Sequence, residues 1–106
     1  MFDCLIFLRL SDAIYRKGYE TMLEFIHTIQ DPWGMHMRPA GMLVKIAKNF
    51  KSEILMACRD KEANAKQLFD VMSLAARTGE NLQVRVQGVD EEEAASQLKA
   101  FLESHC

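Results

Sequence analysis

Apolar residues recur along this chain in two rhythms, and the switches between them mark its elements. Leu23-Glu24-Phe25-Ile26-His27-Thr28-Ile29 is rich in β-formers with partial alternation, which predicts a strand from Met22 onward, and Asp31-Pro32-Trp33-Gly34 supplies turn chemistry after it. From Pro39 the apolar positions Met42, Leu43, Ile46, Ala47 and Phe50 are spaced by three and four, the signature of a helix with one buried face. Proline is tolerated in the first turn, where its missing N–H would have no partner anyway. Lys48, Asn49 and Lys51 close that helix, two cations at its negative end and an asparagine suited to a C-cap.

Residues 52–59 return to alternation around Ile54, Met56 and Cys58, and a turn at Asp60-Lys61 leads into a short strand over residues 62–65, a hairpin. Leu68, Phe69, Val71, Met72 and Ala75 repeat at helical spacing in a short helix stopped by Gly79. Leu82, Val84 and Val86 alternate with Gln83, Arg85 and Gln87, the clearest half-buried strand in the chain, which Gly88 ends. Asp90 and Glu93 fit a start resembling a capping box, and Ala94, Gln97, Leu98, Phe101 and Leu102 give an amphipathic last helix. The charged run 90–93 is read as a solvated helix start. The order β-α-β-β-α-β-α predicts an α+β fold, an open-faced sandwich with a four-stranded antiparallel sheet and three helices on one face, because that arrangement buries every apolar stripe.

Composition narrows the class of function. With 106 residues the chain has room for one modest core, and 49% apolar with 26% charged residues is the balance of an ordinary globular protein. A net charge of -2 offers no electrostatic case for nucleic acid. Cys4, Cys58 and Cys106 are odd in number and far apart, which fits reduced thiols in the cytoplasm, and together with His27, His36 and His105 they form no pair at metal-ligand spacing, so no metal is assigned. Residues 1–21 contain the apolar run Leu5-Ile6-Phe7-Leu8, interrupted by Arg9, with no basic region before it, no small-residue cleavage site after it, and too little length to span a bilayer. They are read as an extension to a domain over residues 22–106. It is either a short extra helix or residues upstream of a native start at Met22.

The chemistry concentrates at Gly34-Met35-His36-Met37-Arg38-Pro39-Ala40. His36 falls at or just before a helix N-terminus, where unpaired main-chain N–H groups and the positive end of the macrodipole suit an anion such as phosphate. Arg38 adds a guanidinium fork that matches phosphate oxygens. An imidazole has an unperturbed pKa near 6.5, so a neutral nucleophilic fraction exists at neutral pH. The arrangement is a nucleophile beside an oxyanion cradle. On His-x-Arg-Pro alone a cap or an ordinary surface histidine is the commoner explanation, so the surrounding pattern has to carry the assignment.

In that pattern the chain resembles the HPr family, the histidine-containing phosphocarriers of the bacterial phosphoenolpyruvate sugar phosphotransferase system. The resemblance runs from about Met22 onward and is carried by the His36 motif, by Phe50-Lys51-Ser52-Glu53-Ile54, by Ala65-Lys66-Gln67-Leu68-Phe69-Asp70-Val71-Met72-Ser73-Leu74, and by Gly79 before the last strand. It implies that His36 is phosphorylated on Nδ1 by phospho-enzyme I and passes the group to a IIA component. It implies that Arg38 belongs to the active centre, with the start of the helix at Met37 and Arg38 holding phosphate. Met37, Gly41 and Val44 on the first helix and Leu68, Phe69 and Met72 on the second occupy family interface positions. Lys45 and Lys48 are placed to steer acidic partners. Leu68 and Met72 also fit a plain core role, whereas Phe69 reads as exposed. The expected protein is a cytoplasmic monomer that needs no cofactor and carries a transient phosphohistidine, without being an independent enzyme.

Three positions depart from the family pattern. Gln67 stands where many members carry a regulatory serine, so that phosphorylation cannot occur there, and Ser73 does not replace it by alignment. Met37 replaces a small or hydroxyl residue, and Ala75 stands where glycine is frequent. Two other functions compete. A regulatory module of the nitrogen-type branch would use the same face to bind a partner, and Gly-Met-His at the start of the motif is compatible with it. An independent hydrolase or metal enzyme has little support, because no second catalytic residue and no orienting partner stands at a readable spacing from His36.

Overall fold

The computed structural model describes residues 15–16 and 22–106. Its elements in chain order are β1 (Tyr15–Arg16), β2 (Leu23–Thr28), α1 (Met37–Ala47), β3 (Glu53–Cys58), β4 (Lys61–Asn64), α2 (Leu68–Ser73), β5 (Asn81–Gln87) and α3 (Glu91–His105). The strands form one antiparallel sheet in the order β1-β2-β5-β3-β4. The predicted four-stranded sheet under three helices is therefore present, and β1 adds a two-residue rung to its edge by pairing Tyr15 with Glu24 and Arg16 with Leu23. Of residues 1–21 only 15–16 are described, and they are strand; the expectation of an extra helix in the remainder lies outside the described residues, as does Cys4.

Register explains the core. Phe25 of β2 stands opposite Val84 of β5, which stands opposite Met56 of β3, so one face of three strands presents a continuous apolar row. Leu43 and Ala47 of α1 and Leu98 and Leu102 of α3 close over it. Burying side chains of this size contributes about 1.5–3 kcal/mol each. The opposite face is polar and internally bonded. Glu24, nearly fully buried, accepts from the side chains of Gln83 and Arg85, and Arg85 also reaches Glu62.

Several boundaries differ from the periodicity. Helix α1 ends at Ala47, so Phe50 is buried from the following loop, and Met42, expected on the buried stripe, is exposed instead at its edge. The hairpin turn sits one residue early, with Arg59 at φ +57. Helix α2 stops at Ser73, and Ala75 takes a left-handed conformation at φ +50. That geometry gives the family's preference for glycine at this position its reason, since a side chain there is strained. Asp90 is the N-cap residue of α3, but its side chain makes no capping bond. Its carboxylate instead accepts from the Lys51 N–H at 2.8 Å, the Ser52 N–H at 2.9 Å and the Ser52 hydroxyl, tying the start of α3 to the loop before β3. Glu91 is also engaged, accepting the Gly88 N–H at 3.1 Å, so the charged run is only partly solvated.

Candidate functional site

The segment before α1 is fixed by its own backbone. Gly34 adopts φ +71, a conformation that favours glycine, and its N–H donates to the Asp31 carbonyl at 2.9 Å. Met35 is buried and its N–H donates to the Ala76 carbonyl at 2.9 Å, which joins this turn to the segment between α2 and β5. His36 follows as the N-cap of α1, with extended backbone (φ -98, ψ -174) and a carbonyl that accepts the Ala40 N–H at 3.0 Å.

Its side chain makes no capping hydrogen bond, so the ring is not consumed in holding the helix. The imidazole is 39% exposed. Beyond it the N–H groups of Met37 and Arg38, the first two helical residues, have no acceptor within the helix, and Pro39 has no N–H to satisfy. Polarised amides, an exposed imidazole and an exposed guanidinium thus share one helix end, a combination suited to receiving a tetrahedral anion.

An open cleft of about 490 Å³ runs past this end, lined among others by Asp31, Trp33, His36, Arg38, Met42 and His105. Four of these were not singled out from the sequence. Asp31 and Trp33 read as turn residues, Met42 as core, and His105 only as a histidine at no metal-ligand spacing. Asp31 stands nearest the ring, its Oδ2 3.7 Å from His36 Nε2, a proximity that sequence spacing had not revealed. Behind Asp31 the Cys106 thiol is buried and its pKa is pushed up to about 11, by burial first and then by the Asp31 charge, so it stays protonated. Among the described residues no group of three or more His, Cys, Asp or Glu side chains is placed to hold a metal ion.

The expected interface residues divide by burial. Met37 is 62% exposed and Phe69 84%, and Lys45 and Lys48 are open to solvent. Gly41 is half-buried with open space where a Cβ would stand. Leu68 and Met72 are half-buried and pack on the core. Val44 is a core residue, so its side chain is not available to a partner, because α1 turns that face toward the core. Gln67 is the exposed N-cap of α2. Trp33, 80% exposed beside His36, extends the apolar surface in a direction the helices alone do not cover.

The model of the family described as the PTS HPr component phosphorylation site matches residues 23–104. The chain belongs to the HPr family. It is 42% identical over 85 residues to the phosphocarrier protein HPr of Mycoplasma genitalium, a match that covers 79% of this chain and 97% of that protein. Among solved structures, a mycoplasma histidine-containing phosphocarrier protein superposes with a TM-score of 0.75 at 32% identity, covering 76% of this chain and 92% of that one. HPr of Bacillus anthracis gives 0.74 at 31% identity, covering 78% and 99%. The protein is thus an HPr-type phosphocarrier of the phosphotransferase system, and its open-faced α+β fold is the fold of those relatives. Among the described residues no helix is long and apolar enough to cross a membrane.

Proposed function

We propose that this protein accepts a phosphoryl group on His36 from phospho-enzyme I and delivers it to a IIA component of a sugar permease, in the cytoplasm. The observation that carries this reading is the exposed, uncapped imidazole at the start of α1, flanked by two unpaired main-chain amides and Arg38. Neutral His36 attacks phosphorus in line through Nδ1, and the Met37 and Arg38 amides with the Arg38 guanidinium stabilise the equatorial oxygens. The donor and acceptor proteins complete the site, so the phosphohistidine is an intermediate of a relay and the chain is no independent catalyst.

Docking uses Met37, Gly41 and Phe69 with the exposed parts of Leu68 and Met72, while Lys45 and Lys48 steer acidic partner surfaces. The carrier acts as a monomer in this reading. Residues 22–106 form the phosphocarrier domain, and residues 1–21 are an extension to it. Relatives named as phosphocarriers favour transfer over the regulatory reading. The test is reconstitution with phosphoenolpyruvate, purified enzyme I and a purified IIA component. Label should reach the IIA component only when this chain is present, and label that reaches it equally without the chain would refute the relay.

A further inference from the structure

Asp31 precedes His36 by five residues, and all but one of its polar atoms are engaged. Its N–H donates to the Cys106 carbonyl at 2.9 Å, and its carbonyl accepts from the Gly34 N–H at 2.9 Å and the Thr78 hydroxyl at 2.5 Å. Its Oδ1 accepts the Trp33 N–H at 2.8 Å. The carboxylate is therefore held by the turn in one orientation. The remaining oxygen, Oδ2, is directed toward the His36 ring, 3.7 Å from Nε2, with the Asp31 side chain only 20% exposed.

We propose that Asp31 is a positioning residue that fixes the tautomer of His36 for phosphoryl transfer, a role that rests on the phosphocarrier reading above. A carboxylate facing one ring nitrogen favours the proton on that nitrogen and leaves the lone pair on the other. With the proton on Nε2, the lone pair is on Nδ1. In the transfer step the Nδ1 lone pair forms the N–P bond while the bond from phosphorus to the donor's imidazole nitrogen breaks, and that electron pair leaves with the donor. The Nε2 proton stays in place, so the phosphorylated ring is a cation on its Asp31 side and the carboxylate faces it. Onward transfer reverses the same movements. The 3.7 Å separation suits a resting site, because catalytic hydrogen bonds are often long before the partner docks and shorten in the complex.

Two substitutions separate this role from a merely structural one. Asp31→Asn keeps an oxygen for the Trp33 N–H and so presents its amide N–H₂ to Nε2, which moves the ring proton to Nδ1. Asp31→Ser retains a short acceptor for the turn and leaves Nε2 to water. Nitrogen-15 NMR of the free protein, at a pH where the ring is neutral, should show the proton predominantly on Nε2 in the wild type and shifted toward Nδ1 in Asp31→Asn. Phosphoryl acceptance from phospho-enzyme I should fall about tenfold or more in Asp31→Asn, and by a smaller factor of about three in Asp31→Ser. An unchanged tautomer ratio in Asp31→Asn, or an unchanged rate despite a shifted ratio, would overturn the proposal. A tautomer ratio that shifts as expected in Asp31→Asn, in a protein whose wild type takes no label from phospho-enzyme I, would instead reject the phosphocarrier reading and leave the Asp31–His36 pairing intact.

Discussion

Gly34 packs so closely on Ala76 that a Cβ added to it would stand 2.5 Å from the Ala76 carbonyl oxygen, the same oxygen that accepts the Met35 N–H. The turn that presents His36 is therefore pressed against the segment between α2 and β5. Because Gly34 also sits at φ +71, Gly34→Ala meets both strain and a backbone clash. It should cost about 2 kcal/mol or more of stability and lower phosphoryl acceptance as the turn shifts. Urea unfolding with a parallel transfer assay checks both, and a variant as stable as the wild type would show that the turn can move freely.

Asp90 predicts a pH dependence. Its bonds from the Ser52 hydroxyl and the Lys51 and Ser52 N–H groups, the hydroxyl foremost, hold its carboxyl below the ordinary carboxylate range. A carboxyl lowered on folding stabilises the protein above its unfolded pKa of about 3.9, and that contribution is lost as pH falls through the lower folded value. Asp90→Asn should therefore be less stable than the wild type at neutral pH, and the difference should shrink below about pH 4. Denaturant unfolding across that range checks it, and parallel stability curves down to the lowest pH would contradict it.

Phe69 is 84% exposed on α2, a helix packed against α1, so its removal costs little folding energy. Phe69→Ala should leave stability within about 0.5 kcal/mol while raising the KM for phosphoryl transfer from enzyme I about tenfold. Equal KM values in the two proteins would remove Phe69 from the docking surface.

Element types were legible in the sequence because burial on one face imposes a period, and β5 and α3 show that period most cleanly. Their edges were less legible, since Phe50 is buried from a loop and Met42 sits at the margin of the stripe, cases that periodicity cannot separate. Ala75 shows a second limit. Alanine does not itself announce the left-handed φ of +50, and the family's frequent glycine at this position was the one signal of it before the backbone was seen. Ala75→Gly should accordingly raise stability by about 0.5–1 kcal/mol, read from denaturant midpoints, and a loss would show that the conformation carries no strain.

Within the site, His36 and Arg38 were readable because a short motif places them. Asp31 was not, because its turn chemistry is a sufficient explanation of an aspartate there, and only the folded turn reveals that its second oxygen is aimed at the imidazole.

The decisive measurement is the labelling of wild type and His36→Ala with phosphoenolpyruvate and purified enzyme I, followed by mapping of the phosphorylated residue. The wild type should take one acid-labile phosphoryl group, on His36, and His36→Ala should fold normally and take none. Label of equal extent in His36→Ala, or label mapped to another residue of the wild type, would contradict the account.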